Sequence, residues 1–448
     1  MNKIINTFFY LGLFFFSFNS FDGLKYLGEF KDEAGAYFFV FGFIFLLLSK
    51  RVSIPLKSFI FQIILLFFGW CLVTTLLNFQ GVSVSYLKHT TGINRFIRQY
   101  FSLFISTIAF FLFFYNVLKR MTITEILINV RKTFLYSLIF AFALGVFETM
   151  FSIFGIGFAK KIIDVFNLFP FVEKDIFQDR ISSIGNEPPL LAIFLITICG
   201  WMFSYILTHK GILRFVPTFM VLFLTYFSGS RTGLVVIVLQ FILFFIITTS
   251  KEKVILVFRN GLAVIFILSM GIVLFNGEKI INSIDKKIES LDFKGNLKKN
   301  ISNQSRFGMQ YASLMVFIDN PIIGVGFGQQ SFYARHEYPQ WAKEKNYEFT
   351  YMYENSAVRS FPPGYNLYTR ILAETGIVGF LLLLLLIVFS IRSVLKLKRE
   401  SVEEKKHLSI ILLVTLLGLY INWMQIDSFR MYGIWFSLAL FIRMKQKE

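Results

Sequence analysis

The chain has 448 residues, of which 56% are hydrophobic, 60 are Phe and only 16% are charged, with a formal net charge of +18. A soluble globular domain is about a quarter charged, so a cytosolic enzyme of two or three domains is excluded, although the length alone would allow one. The positive excess is one-sided: with the spans below, inside segments carry 22 Lys/Arg against 6 Asp/Glu and outside segments 23 against 21, which is an orientation signal and argues against nucleic acid as a partner.

Residues 4–18 follow Lys3 as a short apolar run with no small-residue cleavage site behind it, and are expected to be an uncleaved first span. Further spans are expected at about 36–48, 58–79, 101–117, 134–154, 188–207, 215–227, 232–249, 260–276, 371–391, 408–424 and 426–442. Lys50-Arg51, Lys119-Arg120, Lys210, Lys251 and Arg443 mark the inner ends. The fold class is thus all-α and polytopic, with about twelve transmembrane helices and both termini inside. Three regions follow: 1–276 with nine spans, 277–364 as one large extracytoplasmic loop, and 365–448 with three spans and a tail.

A polar loop (80–100) carries Lys88, Arg95 and Arg98, and a second (155–187) lies on the outer side. Within the large loop, Ile280, Ile281, Ile284, Ile288 and Leu291 have the spacing of an amphipathic surface helix. Ser305–Phe317 predicts another helix, ended by Asp319-Asn-Pro321. Gly324-Val-Gly326-Phe-Gly328 then reads as a flexible turn. The unusual residues concentrate outside, so chemistry or recognition is expected there, away from ATP.

Arg231 is the sharpest single residue. It follows Ser228-Gly-Ser at the tip of a helical hairpin at the outer membrane surface. Hydroxyls and exposed N–H groups at such a corner suit an anion; the alternative is a snorkelling arginine that marks a helix end. Arg180, Arg306, Arg335, Arg359 and Arg370 also sit at outer loop–membrane junctions. Arginine forks pair with phosphate in two-pronged fashion, and a lipid diphosphate lies at this depth; loop salt bridges are the other use for such arginines. Glu374, one turn into the tenth span, is costly near lipid and is either functional or paired, with Asp427 and Arg430 as possible partners. Glu148 is a similar case.

Cys71 and Cys199 both lie in apolar runs and offer no disulfide framework. The four histidines show no zinc spacing. Glu173-Lys-Asp175 is a weak match to a metal-holding acidic pair. No cofactor and no metal are expected.

Three motifs occur in order. Ser228-Gly-Ser-Arg231 is one; Ser305-Arg306 followed by Asn320-Pro321-Ile-Ile-Gly324-Val-Gly326-Phe-Gly328 is the second; Tyr365-Asn366-Leu367 leading to Glu374-Thr-Gly376-Ile-Val-Gly379 is the third. Together they resemble the O-antigen polymerase/O-antigen ligase superfamily of bacterial envelope proteins, and the Arg180 segment with Glu187-Pro188 resembles the polymerase branch. The resemblance implies a GT-C-like, metal-independent membrane glycosyltransferase in the bacterial plasma membrane, with its active site facing outward. Its substrate would be an oligosaccharide on undecaprenyl diphosphate, and a chain-length regulator would be a possible partner protein. It implies diphosphate binding by Arg231 and Arg306; Arg180, Arg359 and Arg370 are further diphosphate-binding candidates by their position at the outer junctions alone. The ligase branch carries a histidine where this chain has Tyr365, which favours a polymerase. A base is then sought among Glu374, Glu187 and His336, with Tyr365 in the histidine position. The alternatives are a ligase that shares the arginines, and a lipid-linked oligosaccharide flippase.

Overall fold

The computed structural model describes residues 1–24, 30–50, 52–169, 176–177, 179–248, 300–401 and 403–446. The expected ninth span, the amphipathic stretch 280–291 and Glu173-Lys-Asp175 lie outside the described residues.

Across its described residues the protein is mostly helical, with one two-stranded hairpin. Its longer helices are α1 (Asn2–Phe14), α2 (Ala34–Leu48), α3 (Phe59–Leu77), α4 (Gly92–Leu118), α5 (Ile123–Ser152), α6 (Phe158–Phe166), α7 (Pro188–Thr208), α8 (Ile212–Phe227), α9 (Arg231–Thr248), α10 (Ile301–Asp319), α11 (Leu367–Glu400), α12 (Glu403–Asn422) and α13 (Tyr432–Lys445). Six of these, α3, α4, α5, α7, α9 and α11, are long and apolar enough to cross a membrane. Helix α3 buries Ile60, Ile63, Ile64, Phe67 and Cys71 and exposes Leu66, Val73, Leu76 and Leu77. A helix that is apolar on its exposed face as well as its buried one is built for lipid. These features make the chain a multi-pass membrane protein.

Among the described residues, many Phe side chains serve the interior. Phe9, Phe39, Phe110, Phe114, Tyr432 and Phe436 interlock where α1, α2, α4 and α13 meet, mostly edge to face, as with Phe39 on Phe114 at 4.8 Å and 87°. Such pairs add about 0.5–1.5 kcal/mol each beyond area burial. Residues 309–373 build a second small core of Met309, Ala312, Val316, Ala342, Phe349 and Ala373. The described part of the large loop, from residue 300 onward, therefore docks as a packed unit on α11.

Four expectations need correction. Arg95 and Arg98 are helical rather than in a loop: after a short hairpin (Tyr86–Leu87 paired with Thr90–Thr91), Thr91 caps α4 by accepting from Asn94 N at 3.3 Å. The tenth span begins earlier, because Asn366 caps α11 by accepting from the amides of Tyr368 and Thr369. It also breaks at Gly376, which takes φ +63° and ψ −167°. The last helix starts at Tyr432, so Asp427 and Arg430 lie in the α12–α13 connection. Finally, the Gly324–Gly328 run is a fixed turn. Val325 N donates to Ala373 O at 3.0 Å and Gly326 N to Glu374 O at 2.9 Å, while Ile377 N donates to Pro321 O at 2.9 Å. The break in α11 orphans these backbone groups, and the glycine run satisfies them.

Candidate functional site

The Ser228–Arg231 tip joins α8 to α9. Ser228 is buried and donates to Thr225 O at 2.8 Å, while its Oγ accepts from Ser230 N at 3.2 Å. Ser230 Oγ accepts from Gly233 N at 3.2 Å and so caps α9. The serines thus hold the corner in shape, and Gly229 supplies its left-handed φ of +66°. Only Arg231 reaches out. Its guanidinium donates to Asn303 Oδ1 in the first turn of α10 at 3.5 Å.

Arg306 stands one turn further along α10, close enough that its charge acts on Arg231. It donates to Gln425 Oε1 at 2.8 Å, and its guanidinium carbon lies 5.2 Å from the centre of the Tyr365 ring. Arg180 is exposed beside the tip: Ile181 N donates to Phe227 O at 3.1 Å, and a Cβ on Gly229 would lie 3.3 Å from Arg180 Cβ. The position of this segment comes from Glu148, fully buried in α5, whose carboxylate accepts from Ser182 N at 3.0 Å and Ser183 N at 2.8 Å. That is the purpose of the acidic residue flagged deep in the fifth span.

Tyr365 holds an unusual backbone, φ +53°, a conformation that costs on the order of 1–3 kcal/mol in a non-glycine residue. Neighbours on both sides impose it. Gly364 N donates to Asp427 Oδ2 at 2.6 Å, and Asn366 is committed to the α11 cap. The Tyr365 hydroxyl lies 2.7 Å from that of Tyr353, which donates to Glu348 Oε2 at 2.9 Å. Since the Tyr353 proton is spent on Glu348, Tyr365 is the donor between the two phenols. Burial pushes both phenols above their ordinary range, for Tyr353 with further help from Tyr365 and Glu348. Tyr353 and Glu348 belong to no motif, and nothing in their sequence neighbourhood marks them.

Arg370, Glu374 and Arg359 belong to a second cluster, whose cavity neither Tyr365 nor Arg306 lines. Arg370 is buried, and its three nitrogens donate to Glu374 Oε1 at 3.0 Å, Asp427 O at 2.7 Å and Gln99 Oε1 at 2.9 Å. It braces α11 against α4 and the α12–α13 connection. Glu374 therefore pairs with Arg370. Arg430 pairs instead with Glu33, and Asp427 uses its carboxylate on Gly364. Together with Arg95, Arg98, Arg359 and Phe361 these groups line a cavity of about 380 Å³. The α12–α13 connection divides the two clusters: Gln425 serves Arg306, and two residues on Asp427 serves Arg370.

Two other sequence candidates are not brought in. Glu187 is exposed at the start of α7, where its carbonyl accepts from Leu190 N and Leu191 N. His336 is exposed and accepts from Arg335 Nε at 2.9 Å, beside the 86–91 hairpin. Among the described residues no three potential metal ligands cluster. Cys71 and Cys199 are buried free thiols.

No curated protein matches the chain. Residues 216–384 match the family model described as O-antigen ligase, a stretch that contains the tip arginine, α10, the glycine run and the break in α11. The family covers polymerase- and ligase-type membrane enzymes that act on lipid-linked oligosaccharides. The match, on the stretch that carries the three motifs, supports placing this chain in the O-antigen polymerase/O-antigen ligase superfamily.

Proposed function

We propose that the protein is a repeat-unit polysaccharide polymerase with about twelve spans and a GT-C-like fold, working at the outer face of the bacterial plasma membrane. The donor is a growing glycan on undecaprenyl diphosphate and the acceptor a single repeat unit on a second such lipid. An acceptor hydroxyl at the non-reducing end attacks the donor's anomeric carbon. The new glycosidic bond forms, the bond from that carbon to the phosphate oxygen breaks, and lipid diphosphate leaves. A chain-length regulator is the expected partner.

The observation that carries this reading is the convergence of Arg231 and Arg306 beside Tyr365. Two like charges held close together repel each other, and a bound diphosphate offsets that repulsion. The same arginines stabilise the charge that grows on the leaving group. Arg180 stands at the rim of the same corner.

The leaving group is already good, so the remaining need is to accept one proton. Tyr365, Tyr353 and Glu348 form a relay with spacings of 2.7 and 2.9 Å. The acceptor hydroxyl gives its proton to Tyr365, Tyr365 passes its own to Tyr353, and Tyr353 passes its own to Glu348. Each oxygen exchanges one proton, so neither phenol has to ionise. In this reading Tyr365 takes up the role implied for the ligase branch's histidine, and Glu348 is the final proton acceptor. Glu374, Glu187 and His336 are not required for that step.

In a strain lacking the gene, plasmids carrying Arg231→Ala or Arg306→Ala should fail to restore polymer while the protein still reaches the membrane. The expected loss is roughly 10²–10³ in rate for each. Full activity in either variant would remove the arginines from the mechanism. The likeness to the O-antigen ligase family favours a ligase as the second reading. Under it the deletion would leave long polymer on undecaprenyl diphosphate rather than single repeat units.

A further inference from the structure

The cavity of about 380 Å³ lies across the α12–α13 connection from Arg231 and Arg306. Its volume is near the lower end of the range of roughly 300–1,000 Å³ typical of ligand pockets. Glu374 is 2% exposed and lines it. Only one of its carboxylate oxygens is used: Oε1 takes Arg370, while Oε2 is buried with no hydrogen-bond partner. A buried oxygen of this kind is costly unless something donates to it. At the mouth, Arg98 and Arg359 are exposed and also line the cavity. Phe429 and Phe361 add apolar surface, one face of the Phe361 ring carrying the Arg95 guanidinium 4.2 Å from its centre.

We infer that this cavity is a saccharide subsite and that its occupant is an acidic sugar. The chemistry of the lining selects such a ligand on three counts. A ring hydroxyl donates to Glu374 Oε2. The C–H faces of the ring pack on Phe361 and Phe429. A carboxylate on the ring pairs with the forks of Arg98 and Arg359. Diphosphate alone uses the arginines but has no donor for Glu374, and a neutral sugar satisfies Glu374 but leaves the arginines idle. The inference rests on the polymerase reading only for naming the occupant's origin: it is then the non-reducing terminal sugar of the acceptor.

The test uses the full chain in lipid nanodiscs and saturation-transfer NMR with three probes, D-glucuronate, D-glucose and inorganic pyrophosphate. Glucuronate should bind the native protein better than glucose. The double variant Arg98→Gln/Arg359→Gln should weaken glucuronate about tenfold or more, as loss of a charge-assisted contact does, and bring it level with glucose. Glu374→Gln should weaken both sugars, and Arg231→Gln should change neither. The Arg98/Arg359 variant keeps the test decisive if Glu374→Gln does not fold, because both arginines are exposed. Glucuronate binding unchanged in that variant, or no stronger than glucose in the native protein, overturns the inference. So does pyrophosphate as the only probe whose binding depends on Arg98 and Arg359, which would make the cavity a second diphosphate site. Sugar binding that passes these tests in a protein that makes no polymer would leave the subsite standing and remove the polymerase reading.

Discussion

The amide of Gly326 donates to the main-chain carbonyl of Glu374 at 2.9 Å. The second motif therefore closes the helix break contained in the third. The approach is so close that a Cβ on Gly324 would lie 2.5 Å from the backbone carbon of Glu374, and one on Gly376 would lie 2.2 Å from Ile322 O. Both glycines also hold positive φ, +68° and +63°. Gly324→Ala and Gly376→Ala should each destabilise the protein by about 1–3 kcal/mol through strain, with the backbone clash in addition. A lower melting temperature in detergent and less protein in the membrane would register it. Native melting behaviour in both variants would contradict this view of the paired motifs.

Arg306 should tolerate lysine poorly. It bonds Gln425 and stacks near Tyr365, close enough to Arg231 for its charge to act there. Lysine keeps the charge but loses the planar fork. Arg306→Lys is expected to retain part of the polymer-forming rate and Arg306→Ala none that is detectable above roughly 10⁻² of native. Equal activity in the two would mean that the fork has no role.

The Tyr365–Tyr353–Glu348 relay makes a separable prediction. Tyr353→Phe interrupts the proton path without touching the arginines, and Glu348→Gln removes its end. Each should lower turnover by roughly 10²–10⁴ and leave the affinity for lipid diphosphate unchanged. The phenols lie above their usual range because they are buried. Their neutral forms are thus favoured in the fold, and that contribution is present below about pH 10 and lost only above it. No loss of rate from phenol ionisation is expected as pH rises from about 7 to about 9. A rate that falls through that window in the native protein but not in Tyr365→Phe would point to an ionising tyrosine instead.

The Arg370–Glu374 pair is buried on both sides, with side chains 9% and 2% exposed. Removing one member leaves a buried charge alone, which typically costs about 3–5 kcal/mol. Arg370→Met should therefore deplete the protein from the membrane, whereas Arg359→Gln, at an exposed position, should not. Normal abundance of Arg370→Met would contradict the bracing role assigned to Arg370.

Apolar periodicity placed a helix near each expected span on the described residues, six of them in helices long and apolar enough to cross a membrane, because burial in lipid and burial in protein both demand the same runs of Phe, Leu and Ile. It misplaced Arg95 and Arg98, since the first turns of α4 are amphipathic and a hydropathy window reads them as loop. It took Glu374 to lie inside an unbroken helix, because the break at Gly376 is made good by hydrogen bonds from residues about fifty positions earlier. Of the site, the arginines were legible because a charged fork at a helix end is rare in an apolar chain. Arg370 was grouped with them on the same ground, yet only the fold reveals that its donors are already spent. Tyr353, Glu348 and Gln425 could not be seen, as ordinary polar residues acquire a role only through contacts distant in sequence.

The central claim is tested most directly by the lipid-linked glycans of a strain lacking this protein. They should be single repeat units on undecaprenyl diphosphate, and purified native protein added to them in proteoliposomes should convert them to a ladder, while Arg231→Ala protein should not. Long polymer already present on undecaprenyl diphosphate in the deletion strain, with none transferred onward, would contradict the polymerase account.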